Sequence, residues 1–237
     1  MSPADLIAAT LAVIAGSVVQ VASGVGGGFI IVPLLAWIDI RLVPAPLVFA
    51  SLALSGLMAL REWHAVDWRH IPTILAGLAP GSLFGAWFLA SVPLDDLGLV
   101  FGGVILLGIV VTGSGRHIPL NRWTGALTGA YSGAMGTSSG IGAPPLALLY
   151  QDQSGDRIRA TLAVLYTLAS LIILVMLFAF GKFGVREIQS GLLLVPGFVL
   201  GYLLASRWTP RVDRGYARTA VLVVSGLAAI ALIVRSI

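Results

Sequence analysis

The chain has 237 residues, of which 58% are apolar and only 10% charged, with fourteen Lys and Arg against ten Asp and Glu. A soluble domain carries about 25% charged residues, so these few charges cannot cover a soluble surface, whereas a bilayer requires an apolar exterior. The net charge of +4 fits basic residues gathered in cytoplasmic loops and excludes nucleic acid as the expected partner, because no basic cluster is interleaved with stacking aromatics.

Apolar runs, free of charge except for Arg159 at the start of one, cover residues 6–38, 42–60, 71–94, 97–114, 123–150, 158–181, 188–206 and 220–234, most of them close to or above the about 20 residues of a spanning helix. The first run follows Met1–Ser2–Pro3–Ala4–Asp5, without the Lys or Arg that opens a signal peptide, and reads as a retained helix. It is interrupted by Gly24–Val25–Gly26–Gly27–Gly28. A helix of about ten residues follows, which at about 15 Å is too short to cross a core of about 30 Å. Three full spans come next, flanked by Trp63 and Trp68 as interfacial anchors, with Asp67 expected to cap a helix that starts at Arg69 or His70. Trp123 opens the next run, which breaks at Gly136–Thr137–Ser138–Ser139–Gly140. Pro144 and Pro145 suit the first turn of a second short helix, three more spans follow, and Trp208 is a further anchor.

The two halves repeat. Gly24, Gly28, Pro33 and Leu34 align with Gly136, Gly140, Pro145 and Leu146 at an offset of 112; Ala45, Leu47 and Ser55 align with Ala160, Leu162 and Ser170 at 115. Pro80, Gly81 and Gly85 align with Pro196, Gly197 and Gly201 at 116, and Pro93 with Pro210 at 117. The expected fold is all-α and integral to the membrane. Residues 1–115 and 116–237 form two inverted repeats in one transmembrane domain, each a broken-helix hairpin plus three spans, with about eight full spans and two half-helices. If each break reverses the chain, Arg61, Arg69, Arg116, Arg122, Arg157, Arg159, Arg207, Arg211, Arg214 and Arg218 share one side, against Arg41, Lys182, Arg186 and Arg235. If each broken segment crosses once, the same residues divide evenly. The positive-inside rule favours the reversal, with both termini outside.

Backbone freed inside lipid survives only where it is buried in protein or lines a wet cavity, and paired breaks in inverted repeats mark a transporter site. Each short helix would turn free N–H groups and a partial positive charge toward its break, which favours an anion. The candidate substrate-binding residues are Gly24, Gly26, Gly27, Gly28, Gly136, Thr137, Ser138, Ser139 and Gly140, with Gln20, Ser55 and Ser170 from the spans. Ser23, Ser51, Tyr131, Ser132 and Tyr166 are further polar groups within spans. All ten acidic residues fall in or beside loops, so no catalytic acid, base or cofactor site is expected. His64, His70 and His117 lack metal-ligand spacing.

At Gly24–Gly28 running into Pro33–Leu34–Leu35, and at its counterpart Gly136 to Pro145, the sequence resembles the sulfite exporter TauE/SafE family. The resemblance covers essentially the whole chain. It implies transport of a small anion, of the sulfite, sulfonate or thiosulfate type, across the cytoplasmic membrane, and no enzymatic activity. A channel and a carrier of a small carboxylate are the alternatives. Coupling to protons or to sodium is open, as is a homodimer.

Overall fold

The structure is a computed structural model that describes residues 2–113, 118–208, 223, 226–231, 233 and 234. Arg116, His117, Pro210, Arg211, Asp213, Arg214, Arg218, Arg235, much of the expected last span and the side chain of Trp208 lie outside the described residues. The described residues are helical and contain no strand, as a chain in hydrocarbon must be when each segment satisfies its own backbone.

The first half gives α1 (Pro3–Ser23), α2 (Gly27–Ile38), α3 (Ala45–Glu62), α4 (Ile71–Ser91) and α5 (Leu97–Gly113). The second half follows the same order of long and short, with α6 (Arg122–Ser139), α7 (Ala143–Leu149), α8 (Gly155–Ala179) and α9 (Val185–Trp208). Six of these helices, α1, α3, α4, α5, α8 and α9, are long and apolar enough to cross a bilayer. α6 has 18 residues, but Gly, Ser and Thr occupy much of it, mostly on the face buried in protein. The outward surfaces carry Leu83, Phe84, Trp87, Leu171, Val175 and Phe178, all large, apolar and exposed, as lipid contact requires. The chain is an integral membrane protein.

α4 begins at Ile71 with His70 as its N-cap, later than the sequence suggests. Asp67 instead closes the preceding turn, accepting from the Arg69 N–H at 3.1 Å and facing His70 Nδ1 at 3.4 Å. Pro72 sits in the first turn of α4, where its missing N–H has no partner to lose.

Both short helices fold back. Gly27 lies against Gly16 and Gln20, and Ile31 against Gly16, so α2 runs antiparallel along α1. α7 returns along α6 in the same way, with Gly142 against Ser132 and Gly136. Residues on either side of the second hairpin, Leu120 and Gln153, consequently line one pocket together with the His64–His70 connection.

Close packing crosses between the halves. Gly77, Gly81 and Gly85 of α4 meet the backbone at Ala126, Ala130 and Ala134 of α6; Gly129 and Gly133 of α6 meet α4 at Ile74 and Leu78. A Cβ at Gly77 or Gly81 would stand 1.9 Å from a carbonyl oxygen. On the other side Gly197 and Gly201 of α9 press against Val13 and Ser17 of α1. Small residues permit this approach, and dispersion then holds helices together without a hydrophobic driving force. α3 and α8 pack on each other between these two pairs.

Candidate functional site

The two breaks are built alike. α1 ends on Gly24 with φ 81°, and α6 on Gly140 with φ 80°, the left-handed cap that suits glycine. Ser23 Oγ donates to Val19 O at 2.7 Å and accepts the Val25 N–H at 3.3 Å. Ser139 Oγ donates to Met135 O at 2.8 Å and accepts the Ile141 N–H at 3.3 Å. The geometric counterpart of Gly24 is therefore Gly140, an offset of 116 that agrees with the later blocks; the offset of 112 read from the glycine runs is four residues out of register.

The breaks face one another. A Cβ on Gly28 would lie 3.7 Å from Ile141 Cγ1 and 3.9 Å from Gly140 O. Between them is a cavity of about 120 Å³. Gln20, Gly26, Gly27 and Gly28 line it from the first hairpin; Ser132, Gly136, Gly140, Ile141 and Gly142 from the second. Ser51 and Ser55 of α3 and Tyr166 and Ser170 of α8 complete the polar wall, and Leu54, Met58, Ile173 and Phe198 are among its apolar residues. Among the described residues, no charged one lines it.

Most side-chain donors of the wall are engaged, and one hydroxyl is spare. Gln20 bridges its break, accepting the Gly27 N–H through Oε1 at 2.9 Å and donating through Nε2 to Gly24 O at 3.4 Å. The Ser55 hydroxyl donates to Ser51 O at 3.1 Å within its own helix. The hydroxyl of Tyr166 is buried and has no hydrogen-bond partner among the described residues. Ser170 is 7% exposed. Buried polar groups are normally paired, so an orphan on a cavity wall marks room for a hydrogen-bonding solute.

Eight of the twelve candidate residues thus share the cavity: Gln20, Gly26, Gly27, Gly28, Gly136, Gly140, Ser55 and Ser170. Four do not line it. Gly24 packs on the stem of Arg159. Thr137 is fully buried and faces Gly85 of α4. Ser138 Oγ donates to Ala134 O at 2.8 Å, and Ser139 serves the cap just described. Tyr166, Ser51 and Ser132, further polar groups within the spans by sequence, line the cavity as well; Tyr166 stands 115 residues after Ser51, the offset that pairs Ser55 with Ser170.

The family model described as Sulfite exporter TauE/SafE matches residues 8–232. The chain belongs to the sulfite exporter TauE/SafE family. A relative in that setting is the "Probable inner membrane transporter protein TsaS" of Comamonas testosteroni, 30% identical over 194 residues that cover 75% of this chain and 77% of that protein. No solved structure matches the chain. This TauE/SafE protein is a multi-pass protein of the inner, cytoplasmic membrane, and its family is one of membrane transporters.

Proposed function

We propose that the protein carries a small anion, a sulfur oxyanion or organosulfonate of the sulfite, sulfonate or thiosulfate type, through the cavity between the two helix breaks. One observation carries the reading: a cavity walled by two opposed breaks, with no charged residue among its described lining, and with Tyr166, whose buried phenol hydroxyl has no partner among the described residues, in its wall. Backbone N–H, amide and hydroxyl donors form strong bonds to a charged acceptor, while the absence of a lining cation lets the anion leave. A volume of about 120 Å³ suits a solute of a few heavy atoms. The family description supports sulfite chemistry. Gln20, Gly26, Gly27, Gly28, Gly136, Gly140, Ser55 and Ser170 are the proposed contacts, joined by Tyr166. With no carboxylate or histidine among the described residues of the cavity wall, a proton would travel on the substrate itself. The same inventory supports a transporter over an enzyme.

Residues 1–115 and 116–237 are proposed as inverted repeats. The matched caps at an offset of 116 support this, as do the cavity pairs Gln20 and Gly136, Gly26 and Gly142, Leu54 and Ala169, Ser55 and Ser170, and Met58 and Ile173. An odd number of reversals in each half makes the second repeat run opposite to the first.

The test is a thermal-shift series on purified protein with sulfite, thiosulfate, methanesulfonate and acetate, followed by counterflow in proteoliposomes. Ligand that binds the native state raises its stability. Stabilisation by a sulfur oxyanion or the sulfonate beyond that by acetate, with saturable counterflow, is expected. Stabilisation by acetate alone would make this a carboxylate carrier, flux without saturation a channel, and no stabilisation by any of the four would end the reading.

A further inference from the structure

Two helices line the cavity from top to bottom, and both lead to one ion pair. On α3, Ser51, Ser55 and Met58 line the cavity, and Glu62 follows Met58 by one turn on the same face. On α8, Tyr166, Ser170 and Ile173 line it, and Arg159 precedes Tyr166 by two turns on the same face. Arg159 Nε donates to Glu62 Oε1 at 3.1 Å, tying the two helices together directly below the cavity. The pair is largely buried, with side chains 14% and 20% exposed. The stem of Arg159 also supports the first break: a Cβ on Gly24 would stand 3.1 Å from its Cγ.

Beyond the pair lies a second, wider space. A pocket of about 610 Å³ is lined by His64, Asp67, Arg69, His70, Asp156 and Arg157, among others. Asp156 belongs to its wall and also accepts a hydrogen bond from Arg159. Cavity, ion pair and charged vestibule therefore follow one another along the α3–α8 seam.

The opposite end of the seam is different. Pro44 occupies the position 115 residues before Arg159 and rests under Gly140 as Arg159 rests under Gly24. Phe49 and Phe183 meet there with ring centroids 6.0 Å apart. The packing is alike at the two ends, but Pro44 offers no counterpart to the Arg159 guanidinium.

Resting on the reading of the cavity as an anion site, we infer that the Glu62–Arg159 pair is the gate between the cavity and the vestibule, opened when the translocating anion takes the place of Glu62 on Arg159. A guanidinium fork accepts an oxyanion in the geometry it offers a carboxylate. The closed pair is poised for exchange: Glu62 Oε2 is buried and has no partner among the described residues, so Glu62 is held through one oxygen. Once freed, Arg159 is the first cation an anion from the cavity meets on this side.

The chain has no cysteine, so Met58→Cys gives a single reporter on the cavity wall next to the gate. Its reaction with an impermeant maleimide is followed in right-side-out and inside-out vesicles, which covers whichever face carries the vestibule. Without any anion, Glu62→Gln should speed labelling from the vestibule face by roughly tenfold or more, and the swap Glu62→Arg with Arg159→Glu should slow it again. Methanesulfonate should speed labelling in the protein with the native pair and change little in Glu62→Gln. Equal rates for the native pair and Glu62→Gln, with the protein monodisperse, would overturn the gate. The anion-free comparison does not depend on binding, so an empty cavity and a misplaced gate give different results.

Discussion

Neighbouring glycines in the first break do opposite work. A Cβ at Gly27 would stand 2.6 Å from Gly16 O, against fixed backbone of α1. Overpacking of this kind costs about 1–3 kcal/mol, so Gly27→Ala should lower the melting temperature whatever it does to binding. Gly28 has only ordinary contacts in front of it and faces the cavity. Gly28→Ala should melt like the unmodified protein but bind the anion at least tenfold more weakly, read as a lost thermal shift; full affinity in Gly28→Ala would place the solute elsewhere. Ser170→Ala removes a cavity hydroxyl. A bond to a charged group is worth about 1.5–3 kcal/mol, so a ten- to hundredfold loss follows. Ser138→Ala should keep its affinity, because that hydroxyl already serves Ala134 O. The glycine breaks were legible in the sequence because few other residues accept a left-handed cap. The serines were not, since a hydroxyl next to a break reads the same whether it points to a ligand or back to its own helix.

Among elements, the hardest joint is α4 against α6. Gly81→Val would push side-chain atoms into the Ala130 carbonyl and should abolish the monodisperse peak in size-exclusion chromatography, while Gly103→Ala, with open space in front of it, should leave the peak intact. A normal elution profile for Gly81→Val would mean the helices can part. The order of long and short helices was readable, because apolar length and glycine breaks are written in composition. The register of the breaks was not. Glycine runs match at several offsets, and only the cap conformation at Gly24 and Gly140 distinguishes them. The start of α4 was misjudged for a related reason: Asp67 can cap a turn as well as a helix, and the turn came first.

For the whole molecule, the expected topology has an address that can be read chemically. The 62–70 and 153–157 connections share one pocket, so they lie on one face. Single cysteines at His64 and Ser154 should resist an impermeant maleimide in intact cells, while those at Ser2 and Lys182 should react; the reverse pattern would turn the molecule over in the membrane. The basic residues made the shared face of these two connections legible from sequence, because charge counts survive without knowledge of any contact. The pairing of helices across the halves was beyond reach, since small residues announce close packing without naming the partner. That pairing has a historical consequence. Each hairpin is braced by the fourth helix of the other half, α1 by α9 and α6 by α4, so one half alone would leave its glycine faces bare. On the inverted-repeat reading, a single-repeat ancestor could have become stable only by inserting in both orientations and pairing with itself, and gene fusion later fixed one copy of each orientation in a single chain.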